Sequence, residues 1–200
     1  MIALDVQSVA KSYGKTPVLR DVSFRVGPGE LVGIEGENGA GKSTLLAILV
    51  GLLAPNAGAV RVRGRIGYCP QEPQIFDALT VRENFRFFAS AYGLASFEPA
   101  MEALLERFRF GRYVDRRVAE LSGGTKQKLN LSLALLHAPD VVVLDEPYTG
   151  FDWETYLCFW DLAARLRADG RSLVVVSHLL HERGNFDRVY DLDAGVLRCA

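Results

Sequence analysis

The stretch Gly36-Glu37-Asn38-Gly39-Ala40-Gly41-Lys42-Ser43-Thr44 constrains this chain more than any other. It fits the phosphate-loop pattern of Gly, four residues, then Gly-Lys-Ser. The flanks fit as well: Leu31-Val32-Gly33-Ile34 reads as a buried strand before it, and Leu45-Leu46-Ala47-Ile48-Leu49-Val50 as a helix after it. Glycines let the backbone turn so that several N–H groups point into one cavity, and a helix starting near Lys42 adds the unpaired amides of its first turn. The pattern predicts a cradle for a polyphosphate. A helix dipole contributes only about 0.3–1 kcal/mol per nearby charge, so the converging N–H donors and the Lys42 ammonium are expected to dominate. Ser43 is placed to offer its hydroxyl to a magnesium ion bridging the β- and γ-phosphates. As an ordinary Gly-rich turn, such a match would arise by chance on the order of once in a hundred chains of this size.

Two hundred residues suit one domain, 1–200, large enough to bury its own core. The net charge of −1 argues against a surface built chiefly for nucleic acid, so no nucleic-acid partner is expected. Cys69, Cys158 and Cys199 are odd in number and lack metal-type spacing, which suits a reducing compartment without structural disulfides. The longest apolar run, residues 45–54, falls far short of the roughly 20 residues that span a bilayer, and residues 1–20 carry no basic-then-apolar leader. The chain is therefore expected not to cross a membrane.

Alternating polarity predicts an antiparallel pair at residues 3–9 and 18–26, and short strands at 59–63 and 65–69 are expected to extend that opening sheet. Apolar residues recur at helical spacing through Val81, Phe85, Phe88, Ala89 and Tyr92, with Thr80 and Glu83 set as a capping box. Further helices are predicted at 99–108 and after Ser122. Val141-Val142-Val143-Leu144 is continuously apolar, as a strand buried on both faces would be; a helix at 153–167, a strand at 172–176 and a closing pair around Val189 and Val196 follow. The fold class is α/β: a P-loop NTPase core with a mainly parallel sheet flanked by helices, an N-terminal antiparallel β subdomain, and a helical subdomain inserted at about 72–135.

Asp145 and Glu146 end the buried strand, where open α/β sheets gather ligands. Asp145 can hold magnesium through its water shell, and Glu146, one step outward, can polarise an attacking water. Leu121-Ser122-Gly123-Gly124 opens the later helix. Ser122 alone would serve as a cap, but two glycines there cost up to about 1 kcal/mol each relative to Ala, so their use is close backbone approach to an anion.

With these segments in order, the chain resembles, over essentially its whole length, the nucleotide-binding subunit of ATP-binding cassette transporters. In that family the Leu-Ser-Gly-Gly segment of one subunit closes over the γ-phosphate held by the phosphate loop of another. The resemblance implies roles for three residues that read singly as ordinary: Tyr13 stacking on adenine, Gln71 sensing magnesium and the transporter partner, and His178 as the switch histidine. His137 and His181 match no family position and are expected to be structural. Two departures stand out. Thr125 replaces the family's fifth signature residue, Gln, and the loop after the carboxylates reads Tyr148-Thr149-Gly150-Phe151-Asp152, keeping only the final Asp of a Ser-Ala-Leu-Asp type sequence.

The resemblance implies a Mg2+-dependent ATPase binding ATP through Tyr13, residues 36–44, Gln71, Ser122, Gly123 and Gly124. Ser43, Gln71 and Asp145 would attend the metal, and Glu146 and His178 the hydrolysis. It implies a head-to-tail homo- or heterodimer and a separate membrane-spanning permease, with aromatic Phe76, Phe85 and Phe88 as candidates near the docking groove. Core packing is the better reading of the last two. Export is the direction the sequence most resembles. The location implied is cytoplasmic, at the inner face of the membrane. The alternative is a soluble ATPase of the same superfamily acting in DNA repair or translation; against chromosome-type members stands the short, heptad-free separation of Gln71 from Ser122, and translation-type members usually carry two cassettes in one chain.

Overall fold

The computed structural model describes residues 1–200 apart from Leu179, His181 and Glu182. In chain order the elements are β1 (Leu4–Tyr13), β2 (Thr16–Val26), β3 (Leu31–Glu35), α1 (Lys42–Leu49), β4 (Ala57–Val62), β5 (Ile66–Cys69), α2 (Val81–Ala91), α3 (Glu98–Arg107), α4 (Gly123–Leu135), β6 (Val141–Asp145), α5 (Trp153–Ala168), β7 (Ser172–Ser177), β8 (Arg188–Asp193) and β9 (Val196–Cys199), with three short 3-10 turns between them.

Strands β1 and β2 pair antiparallel, Leu4 opposite Val26 and Tyr13 opposite Thr16, across a tight turn whose Gly14 has φ 60°. Residues 14 and 15 make the whole connection, so the hairpin arms run longer than alternation alone predicts. Strand β4 joins the other side of β1, giving the order β2-β1-β4. The second sheet runs β5-β6-β7-β3-β8-β9; only its last pair is antiparallel.

The expectation that residues 65–69 extend the opening sheet is overturned: β5 lies parallel to β6 in the second sheet, Ile66 opposite Val141. The cause sits at Gly64 and Arg65. Gly64 has φ 88°, in the left-handed region that favours glycine. The Arg65 N–H donates to the Asp140 carboxylate at 2.7 Å, while Asp140 and Val141 return their own N–H groups to the Arg65 carbonyl. This clasp turns the chain out of the half-exposed β4 and aims it along β6. Gly67 then lets β5 press against the Ala134 carbonyl and Pro139, where any Cβ would collide.

The long sheet separates two apolar cores. Val141, Val143, Val174, Val176, Val32 and Ile34 face α1 and the three-stranded sheet, whereas Val142, Leu144, Leu173, Val175 and Leu31 face α4, α5 and the helical segment. Strands covered on both faces need apolar residues at every position, which is why β6 and β7 show no alternation. Each fully buried Val or Leu contributes about 1.5–3 kcal/mol relative to exposure. Helix starts follow their side chains: the Thr80 hydroxyl accepts from the Glu83 N–H and the Glu83 carboxylate from the Thr80 N–H, while Ser122 and Asp152 cap α4 and α5 through the N–H groups of Thr125 and Thr155. Among the described residues no helix is long and apolar enough to cross a membrane.

Candidate nucleotide site

The loop between β3 and α1 turns through Gly39 (φ 84°) and Gly41 (φ 107°), so the amides around them face one space. Gly36 has no room for a side chain beneath it, where the Leu192 carbonyl passes. Gly41 is backed by Val18 and Leu19 of β2. Helix α1 begins at Lys42, whose Nζ reaches the carbonyls of Gly36 (2.5 Å) and Glu37 (3.0 Å) and stands 3.3 Å from His178 Nδ1. Glu37, Gly41, Lys42 and His178 line a cavity of about 300 Å³ shared with Val18, Asn38, Gly39, Ser43, Thr44, Gln71, Asp145 and Glu146.

Parallel pairing brings the acids here. Asp145 ends β6 beside Val176 of β7, one strand away from β3. Burial, then the neighbouring Glu146 charge, pushes the Asp145 carboxyl up to about 6, with Lys42 and His178 pulling the other way. Glu146 takes a left-handed backbone (φ 47°), costly for a non-glycine residue, and its N–H donates to the Val176 carbonyl at 2.9 Å. Its carboxylate accepts from Ser177 Oγ at 2.7 Å and from the His178 N–H at 2.5 Å. The turn thus swings Glu146 out of line with Asp145 and fixes it to the end of β7, with His178 Nε2 3.9 Å from its oxygen.

Of the residues singled out in the sequence, Glu37, Asn38, Gly39, Gly41, Lys42, Ser43, Thr44, Gln71, Asp145, Glu146 and His178 converge on this cavity. Gly36 and Ala40 support it from below; Ala40 is buried and its carbonyl accepts from the Gly195 N–H. Tyr13 stands apart, exposed at the end of β1 with Lys11 Nζ 5.8 Å from its ring centre. Ser122, Gly123 and Gly124 form a separate start at α4, where Gly124 lies so close to the Gly150 carbonyl that a Cβ would sit 2.6 Å from it. His137 is buried, 3.0 Å from the Ile66 carbonyl and stacked 4.1 Å from Tyr92, and burial pushes its pKa down. His181 lies outside the described residues. Phe85 is fully buried, whereas Phe76 and Phe87 are exposed and meet edge to face with ring centres 4.5 Å apart. Sequence reasoning passed over Phe87, and also Glu35, whose signal was a carboxylate closing an otherwise apolar strand.

Oxygen donors suit magnesium, which keeps several waters and takes only one or two carboxylates from protein. Ser43, Gln71 and Asp145 bordering one cavity fit that demand. Among the described residues no group of three or more His, Cys, Asp or Glu is arranged to hold a metal ion by itself, so most ligands would come from phosphate and water.

A phosphate loop at the carboxyl end of a central parallel strand, with acids at the end of a nearby strand, defines a P-loop nucleotide-binding domain. The family model described as ABC transporter matches residues 19–149, and the chain belongs to that family. It is 38% identical over 194 residues to Nod factor export ATP-binding protein I of Paraburkholderia xenovorans (strain LB400), covering 90% of this chain and 64% of that protein. With the protein of the same description from Rhizobium meliloti (strain 1021) it shares 37% over 209 residues, covering 97% and 62%. The chain thus spans less than two thirds of the length of these two relatives. Among solved structures, an ATP binding subunit of an ABC transporter superposes with TM-score 0.92 at 30% identity, covering 100% of this chain and 90% of that one. The ADP conformation of an ATP-binding cassette superposes with TM-score 0.83 at 25% identity, covering 99% and 90%.

Proposed function

We propose that residues 1–200 form one ATP-binding cassette domain, with a helical subdomain at about 72–135, which hydrolyses ATP to drive export through a separate membrane-spanning permease. The observation that carries this reading is the meeting of Lys42, Asp145, Glu146 and His178 at one phosphate-sized cavity. Lys42 and the loop amides bind the β- and γ-phosphates; Lys42 exchanges the carbonyls of Gly36 and Glu37 for phosphate oxygens. Mg2+, held by Ser43 and Asp145 with Gln71 at its edge, would neutralise charge on those phosphates. Glu146 orients a water in line with the γ-phosphorus and takes its proton; a P–O bond forms to that water as the bond to the β–γ bridging oxygen breaks, leaving ADP and phosphate. His178 is close enough to both Lys42 and Glu146 to register the γ-phosphate.

Ser122, Gly123 and Gly124 present helix N-terminal amides, and the Lys126 ammonium in the same turn is paired with Asp77, which suits closure over the γ-phosphate of a second subunit, head to tail. Tyr13, exposed at the end of β1 opposite Thr16, is the aromatic available for adenine. An apolar groove of about 630 Å³ beside Gln71, bounded by Leu52, Tyr68, Pro70, Gln74, Phe88 and Tyr92 with Phe76 and Phe87 exposed nearby, is the surface offered to the permease. Docking there would hold the domain at the inner face of the membrane. The relatives named for Nod factor export support export as the direction.

The test is phosphate release from ATP with and without Mg2+, followed against protein concentration. Mg2+-dependent turnover that rises faster than linearly with concentration is expected. Turnover that instead requires DNA or ribosomes would overturn the transport reading.

A further inference from the structure

Glu35 is the last residue of β3, one step before the phosphate loop, and it is buried. Along β3 the side chains alternate: Val32 and Ile34 face α1, so Glu35 belongs to the opposite face with Leu31 and Gly33. On that face the carboxylate accepts from the Leu180 N–H at 3.3 Å and forms an ion pair with the Arg183 guanidinium, which also stands 3.5 Å from Asp191. Gly33 deepens the seat. A Cβ there would collide with Leu180 Cδ1 and meet the Phe186 ring at 3.0 Å, so only glycine allows both side chains to settle on the strand. Further along, the Asp187 carboxylate accepts from the Leu31 N–H at 2.8 Å and the Asp187 N–H donates to the Leu31 carbonyl, closing the far end of this seat.

A buried carboxylate one residue from a polyphosphate cradle is electrostatically adverse to the ligand that the cradle binds, and core packing does not call for it. What it does hold is Leu180 and Arg183, two residues that follow His178 in the chain. We infer that Glu35, through Leu180 and Arg183, is a positioning residue that fixes His178 between Lys42 and Glu146. The inference rests on the ATPase reading for its kinetic consequence, but the placement of His178 is a property of the nucleotide-free chain. Strand β3 therefore feeds both halves of the site: its end opens the phosphate loop, and its last side chain anchors the histidine that meets that loop from β7.

The experiment compares the intact chain with Glu35→Ala, Arg183→Ala and Arg183→Lys, using Arg25→Ala in the exposed Arg25–Asp5 pair as a control. Two readouts are taken: the ring resonances of 15N-labelled His178 without nucleotide, and kcat alongside the directly titrated Kd for ATP. Expected are a displaced His178 signal and a kcat lower by about tenfold or more in both alanine variants, with the Kd within about twofold, because loss of positioning penalises the reacting geometry rather than ground-state binding. Arg183→Lys should recover most of the rate, and Arg25→Ala should behave like the parent. An unmoved His178 signal, or a Kd that collapses with kcat, would overturn the proposal. If Glu35→Ala fails to fold, the half-exposed Arg183 variants decide it. A parent chain that does not hydrolyse ATP would count against the ATPase reading alone, since the His178 signal still reports the clamp.

Discussion

The chain has two glycine-bearing helix starts, and they are built for different work. At α1 the amides face a cavity that also holds Lys42, Asp145, Glu146 and His178. At α4 Ser122 is engaged in capping, its Oγ 3.3 Å from the Thr125 nitrogen and 3.0 Å from Thr125 Oγ1, and Gly124 rests on the Gly150 carbonyl. Both starts attract anions. At the first, Lys42 and a Glu146 carboxylate fixed by Ser177 share the cavity with the amides; at the second, the Lys126 ammonium is paired 2.8 Å from Asp77. The difference teaches that helix amides make a binding site, while the acids delivered by the neighbouring strands make it a reaction site.

The sharpest break in that comparison is Glu146→Gln. It keeps one of the two hydrogen-bond acceptors that Ser177 and His178 use but loses the proposed base, so kcat should fall by about 10²–10⁴ while ATP binding persists and ATP-dependent dimers accumulate on gel filtration. Undiminished turnover would remove the distinction between the two starts. Lys42→Ala comes next: loss of a charge-assisted contact to phosphate should weaken ATP binding by about 100-fold in a direct titration. Gly124→Ala probes the other start. Its Cβ would press on the Gly150 carbonyl, 2.6 Å away, and should lower turnover about tenfold with the ATP Kd of the isolated subunit little changed. A parallel loss of binding would mean the two starts are not separable.

The smallest effect concerns stability without ligand. The folded Asp145 carboxyl sits at about 6 against the ordinary aspartate value of 3.8. Between those values the folded chain keeps a proton that the unfolded chain has lost, so Asp145 makes stability fall as pH rises through this window, and the full penalty stands above it. Asp145→Asn should therefore raise the unfolding free energy, measured by denaturant titration, at pH 8 more than at pH 5, by on the order of 1 kcal/mol. Equal gains at both pH values would show that the buried charge at the first start is not what sets the slope.

Much of this was legible beforehand for a physical reason: features carried by local pattern survive translation into three dimensions. The phosphate loop, the capping box of Thr80 and Glu83, and the unbroken apolar runs of β6 and β7 each declare themselves within a few residues. What stayed hidden depends on partners far along the chain. The alternating pattern of 65–69 specifies a strand but not its sheet, and the deciding Asp140 lies 75 positions from Arg65. Glu35 likewise has no local reason to be there; its reason is Arg183, 148 positions away. The exposure of Phe87 beside the buried Phe85 follows from how α2 meets α4, which helical spacing alone does not orient.

The turn between β8 and β9 carries a last consequence. Gly195 donates its N–H to the Ala40 carbonyl and accepts from the Arg20 N–H, and it lies flush against Val18, which itself lines the cavity. A ribosome makes residues 18–20 and 40 early and residue 195 late, at about 5–20 residues per second. During that interval the nascent phosphate loop lacks one of its props. The prop beneath the phosphate loop is thus completed only after residue 195 has been made, long after the loop itself.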